Sequence, residues 1–194
     1  MRILSGLWQT FRAFRSDAQG VAAIEFALIF PIMLLVYAGS VEATALLSID
    51  RRVQTVASTL GDLVSRANKQ IGGCDLNTLF LASSGIMAPY TTDSLMQVVS
   101  GLEVKSDGSS TVKWSVSYGP GSVSRQAGTS FVLPQAMRDI ARGNFVVVAE
   151  ASYTYQPMTR VVYEMGIPLR RENFFLPRFP NPITYVPANL SACS

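Results

Sequence analysis

Gly20-Val21-Ala22-Ala23-Ile24-Glu25-Phe26 opens an apolar run that continues to Leu47. The only charged residues in the run are two acids, Glu25 and Glu42, and Pro31 falls inside it. At 1.5 Å per residue a helix over Val21–Leu47 would measure about 40 Å, more than the roughly 30 Å hydrocarbon core of a bilayer. A carboxylate at the bilayer centre costs about 2.5–3.5 kcal/mol on insertion scales, and less near an interface. Glu25 therefore needs a reason to stand where it does. One reason is local, because a negative charge suits the first turn of a helix. The other is functional, because an acid inside a span is by default part of a site.

Working outward, residues 1–20 carry Arg2, Arg12, Arg15 and Asp17, with Leu4, Leu7, Trp8, Phe11 and Phe14 spaced for one apolar helical face. This predicts a short segment on the membrane surface. A cleavable secretory signal would have a shorter apolar core and an Ala-x-Ala site. Glu25 and Glu42 are separated by about 25 Å along a helix axis and by about 100° around it, so they cannot serve one groove. Pro31 removes a backbone hydrogen bond from the run and predicts a local loosening.

The helical pattern outlasts the span. Leu46, Ile49, Val53, Val56, Leu60, Leu63 and Ala67 recur at steps of three and four, and Gly72-Gly73 reads as the stop. Such a stripe either packs on the chain's own sheet or offers a seam to a partner helix. Asp75–Ile86 reads as a short helix closed by Ala88-Pro89. Ser100, Leu102 and Val104, then Val112, Trp114, Val116 and Tyr118, alternate with polar or small residues on either side of a Ser106-Asp107-Gly108-Ser109 turn, which predicts a hairpin. Leu133-Pro134 starts another short helix with Pro at its first position, ending at Gly143. Asn144–Tyr155 is strongly β-prone. Six of the ten prolines follow residue 150, so the last strands are expected to be short, irregular or at an edge.

The fold class is thus α+β: a long transmembrane and amphipathic helix, then a domain with an antiparallel sheet. The boundaries fall at residues 1–20, 21–47, 48–71 and 72–194. The chain has 194 residues and a formal charge of +3, with no long basic run, so nucleic acid is not an expected partner. It contains no histidine, which excludes His-based acid–base chemistry, Ser-His and Cys-His nucleophiles and His metal ligands. Gly-x-Ser-x-Gly is absent, the acids show no catalytic spacing, and no enzyme, metal or cofactor is expected. Ser83-Ser84-Gly85 and Ser109-Ser110 read as loop chemistry. Tyr153, Tyr155 and Tyr163 read as exposed residues available to a subunit interface or to sheet packing.

A glycine followed by four small or aliphatic residues and then Glu-Phe resembles the processing site of type IV prepilins. The larger pattern resembles the TadE/TadG-like family of Tad (Flp-type) pilus assembly proteins. It comprises Ala22-Ala23-Ile24-Glu25-Phe26-Ala27-Leu28-Ile29-Phe30-Pro31, Glu42 late in the span, Ala149-Glu150-Ala151-Ser152-Tyr153-Thr154-Tyr155-Gln156-Pro157, and Pro177-Arg178. Gln19 stands where secretion-type pseudopilins commonly carry Lys or Arg, and Val21 where type IVa pilins commonly carry Phe. Both departures favour the Tad-type branch. The chain is too short for the von Willebrand A domain of larger relatives, and Asp93-Ser94-Leu95-Met96 does not match the metal motif of that domain.

The resemblance implies a pilin-like minor subunit of the bacterial inner membrane, needed to initiate or cap a Tad pilus. It further implies cleavage between Gly20 and Val21 by a prepilin peptidase, with Glu25 and Phe26 recognised in processing or assembly, and partners among TadE-, TadF- and TadG-like minor pilins. The alternative is an uncleaved, membrane-anchored periplasmic binding or scaffold protein. Arginines flank both ends of the span, so charge alone does not orient it. The prepilin-like site and the cysteine pair together place the N-terminus in the cytoplasm. In an oxidising periplasm Cys74 and Cys193 are expected to form a bridge. It would close a loop of roughly 120 residues, for about 4–5 kcal/mol in the chain-entropy account.

Overall fold

A computed structural model describes residues 18–157 and 166–188. The chain divides into two compact units, the first ending at Ala45 and the second beginning at Leu46. Helix α1, Ala18–Ser65, supplies residues to both and contains Pro31. In the second unit it is followed by β1 (Gln70–Gly72), α2 (Gly73–Ser84), a 3-10 turn (Gly85–Met87), β2 (Met96–Val104), β3 (Ser110–Tyr118) and β4 (Ser130–Phe131). Then come α3 (Gln135–Ala141), β5 (Phe145–Tyr155), β6 (Ile167–Phe175) and β7 (Thr184–Val186). The main sheet is antiparallel, in the order β4-β3-β2-β5-β6; β1 and β7 form a separate parallel pair.

The second half of α1 packs on the chain's own sheet. Ile49, Val53, Val56, Ala57, Leu60 and Val64 are buried. Leu60 and Val64 share a core with Val99, Trp114, Val147 and Ala149 of the sheet and with Leu76 and Phe80 of α2. The strict heptad stripe drifts: Leu63 is only half-buried and Val64 takes its place. A straight helix of 3.6 residues per turn slips about 20° per heptad, and a sheet, unlike a coiled-coil partner, does not wind to follow it. Polar pairs fix the flank against β6. Arg171 grips Asp50 through two nitrogens, the nearer-to-backbone Nε at 2.9 Å. Gln54 donates to Asn173 at 2.9 Å.

Four expectations are corrected. The helix ends at Ser65, short of Gly72-Gly73, and those glycines open α2 instead: Gly72 caps it and Gly73 is its first residue. The turn out of α1 is made by Lys69, which adopts a left-handed φ of 68°. A non-glycine residue there hides the stop from composition. Second, the side chains of β3 do not share one face. The register slips between Gly101 and Leu102, so Lys113 is extra; Trp114 joins the α1 side while Val112 joins Leu102, Val104, Val146 and Val148 on the other. Third, Pro134 is the N-cap of α3, not its first residue, and that helix ends at Ala141. Fourth, Tyr153 and Tyr155 are not exposed to an interface but buried, at 7% and 5% exposure, on β5 between β2 and β6, which bears out the sheet-packing reading. Tyr163 lies outside the described residues.

The proline-rich end is mixed. β7 is three residues long, as expected, but β6 runs nine residues along the sheet edge with Pro168 near its start.

Candidate functional site

The candidate site is the head of α1. Ala18, Gln19 and Gly20 are already helical, so the bond between Gly20 and Val21 lies within the first turns. From Val21 to Val41 every large apolar side chain is between 48% and 71% exposed, on all sides of the helix. A helix apolar all round belongs in a core or a membrane, and this one is not in a core. It fits a single-pass membrane anchor.

Glu25 is exposed one turn beyond Gly20, and Glu42 is half-buried near the other end of the unit. The structure keeps them apart, as helical geometry requires. Phe26 and Phe30, one turn apart, pack with ring centroids 5.4 Å apart and planes tilted by 33°, and make an aromatic flank beside Glu25. Pro31 leaves the helix unbroken. Beyond it Ser40 and Thr44 return their hydroxyls to Tyr37 and Ser40 carbonyls, at 2.7 and 2.8 Å, the usual way polar side chains are satisfied where water is excluded. Most of Met1–Gly20, including the four charged residues before Ala18, lies outside the described residues.

Cys74 sits in the first turn of α2, and no cysteine among the described residues is free. Gly73 next to it is closely approached: a Cβ there would lie 2.8 Å from the Ala188 backbone nitrogen. Cys193, five residues after Ala188, lies outside the described residues.

The serines singled out in the sequence are structural. Ser83 is buried at the end of α2 and donates to Gln97 Oε1 at 2.7 Å; Gln97 in turn donates to Ser84 at 2.9 Å. Ser109 closes its turn on Asp107, whose carboxyl these bonds hold below its ordinary value. Among the described residues no group of three or more His, Cys, Asp or Glu side chains could hold a metal.

Glu150 has an ion-pair role that its sequence neighbours do not reveal. It is 5% exposed at the centre of β5 and bound by both Arg125 and Arg170. Burial pushes its carboxyl up, but hydrogen bonds from the two guanidinium groups, and their charge, hold it below the ordinary value. An acid inside Val146-Val147-Val148-Ala149 and Ala151 signals a buried pair. Neither partner was legible, since each is at least twenty residues away.

Residues 20–60 match the family model described as TadE-like protein. No curated protein and no solved structure matches the chain. The match covers the head of α1 and most of its buried stripe, which bears out the resemblance to the TadE/TadG-like family. A TadE-like segment suggests a protein associated with Tad pili.

Proposed function

We propose that this chain is a minor pilin- or pseudopilin-like subunit that initiates or caps a Tad pilus. On this reading the N-terminus is cytoplasmic, α1 crosses the bacterial inner membrane, and the sheet domain is periplasmic. A prepilin peptidase removes residues 1–20, and the mature chain begins at Val21. The observation that carries the reading is the TadE-like segment itself: an all-round apolar helix with Gly20 and Glu25 at its head, whose later turns are the buried helix of an α+β domain.

The chemistry of the head follows. Cleavage would create a positively charged α-amino group at Val21, about 6 Å along the helix from Glu25. In a free subunit Glu25 reaches the interface. When helices bundle, that end is buried, and an unpaired carboxylate there is costly. The new amine, on the same or a neighbouring subunit, supplies the opposite charge. Glu42, at the other end, snorkels to its own interface or serves a local pairing.

Crosslinking of partner subunits in membranes tests this. Glu25→Ala should insert and be cleaved while losing partner crosslinks, and Glu25→Gln should fail in the same way, because it keeps the shape and loses the charge. Normal crosslinking and piliation in both variants would favour an uncleaved anchored scaffold.

A further inference from the structure

Of the arginines among the described residues, six are engaged by acids: Arg66 and Arg178 by Asp62, Arg125 and Arg170 by Glu150, Arg142 by Asp139 and Arg171 by Asp50. Arg51, Arg52 and Arg138 are in no ion pair among the described residues. Two of these three are adjacent, and in sequence they follow the end of the apolar run, within the second unit. Leu47 is 58% exposed, whereas Ile49 is already in the domain core at 1%. Arg51 and Arg52 follow Leu47 by four and five residues, about 6–7.5 Å along the helix. The headgroup layer on one side of a bilayer is about 5–7.5 Å thick, half the difference between the full and hydrocarbon thicknesses.

Arg52 is held in place. Its guanidinium donates to the Ile86 carbonyl at 2.8 Å and lies 5.6 Å over the Tyr90 ring. The segment it grips is anchored from beneath by Met87, which is fully buried, and turned by a Tyr90 N–H to Met87 carbonyl bond of 2.9 Å. Ala88, Pro89, Thr91 and Thr92 are exposed on it. Arg51, about 100° round the helix, is exposed. Asp50 does not neutralise it, because both oxygens of Asp50 are taken by Arg171. Arginine beside tyrosine, one turn beyond an apolar helix, is the composition of a membrane–water interface.

We propose that Arg51, Arg52, Tyr90 and the turn Ala88–Thr92 form a docking rim for the phospholipid headgroups of the membrane that α1 enters. Arg51, and the guanidinium donors of Arg52 that Ile86 leaves open, bind lipid phosphate. The domain is thereby held against the bilayer by a second contact besides its anchor. This rests on the reading of Val21–Leu47 as a span. It does not depend on cleavage, on the partners or on the orientation of the helix.

The test is amide hydrogen exchange across Gly85–Asp93 in the full chain, in phosphatidylglycerol nanodiscs and in maltoside micelles, which carry no phosphate. Exchange at Thr91 and Thr92 should be about fivefold slower in the nanodiscs for each arginine engaged. High salt or Arg51→Glu should abolish the difference, while Arg51→Lys should retain most of it. Arg51 has no acidic partner among the described residues, so these variants leave the fold intact, and unchanged exchange in α2 and β2 checks this. Equal exchange in lipid and micelle, with the chain incorporated in the nanodisc, would overturn the rim alone. A chain that does not incorporate would overturn the rim together with the span.

Discussion

Gly61 of α1 lies directly against the ring of Phe175 on β6, and a Cβ on Gly61 would overlap the ring edge and meet the Ala149 Cβ at 3.0 Å. The absence of a side chain at Gly61 is thus what lets the helix approach the junction of β5 and β6. Glycine inside a helix ordinarily costs about 1 kcal/mol relative to alanine. Here the close approach outweighs that cost, because a methyl group forced into a packed core costs about 1–3 kcal/mol.

Gly61→Ala is therefore expected to destabilise the domain by about 1 kcal/mol net, read from thermal unfolding of the full chain in detergent. In a Phe175→Ala background the clash is relieved, and the same change should stabilise by up to about 1 kcal/mol. Stabilisation by Gly61→Ala alone would show that the contact is loose.

Glu150 predicts an acid-sensitive fold. Its carboxyl titrates below the ordinary value of 4.5 when folded, so the folded state binds its proton less readily than the unfolded state. The stability it contributes is fully present above the unfolded value and is lost as pH falls through 4.5 towards the lower folded value. Glu150→Gln should flatten this part of the acid unfolding profile. At neutral pH it should cost about 1–3 kcal/mol, with the exposed Arg170 contributing the smaller share. An acid limb of unchanged slope would assign the sensitivity to other carboxyls, of which Asp62, held low by hydrogen bonds from Arg66 and Arg178, is the first to try.

We expect a Cys74–Cys193 bridge. Ala188 is packed beside Gly73, and the five residues that follow span at most about 17 Å when extended, which keeps Cys193 within reach of Cys74. Peptide mapping without reductant should recover the linked pair, and reduction should lower stability by about 4–5 kcal/mol. Two free thiols in protein recovered from the periplasmic side would remove the bridge and weaken the orientation.

How far the sequence speaks for this fold depends on where the signal lies. The apolar run, the stripe from Ile49 to Leu60 and the β2–β3 hairpin follow from periodicity, because burial on one face imposes it. The end of α1 was hidden because Lys69, rather than a glycine, takes the left-handed turn, while two genuine glycines nearby serve a helix start. The face of Val112 was hidden by a one-residue bulge, which inverts a strand's alternation without leaving a compositional mark. β5 is legible as a strand but not as one flanked on both sides, so the sequence leaves Tyr153 and Tyr155 between an interface and the sheet packing that their burial bears out. At the head of α1 the residues of the candidate site are local in sequence, and their spacing is legible directly. The Arg125–Glu150–Arg170 cluster and the grip of Arg52 on Ile86 and Tyr90 are products of tertiary structure alone.

Replacement of Gly20 by a bulky residue tests recognition at the head from the peptidase's side. A peptidase must approach the backbone closely there, and glycine allows this without a side chain in the way. Gly20→Leu is expected to accumulate the longer chain in membranes, visible by gel mobility, with insertion unaffected. Normal processing of this variant would place recognition elsewhere in the segment.

The central claim is that this chain is processed like a prepilin, and the most direct measurement is the intact mass of the protein from cells with and without the prepilin peptidase. A chain beginning at Val21 is expected when the peptidase is present, and one retaining residues 1–20 when it is absent. Identical masses in the two strains, both retaining Met1–Gly20, would contradict it.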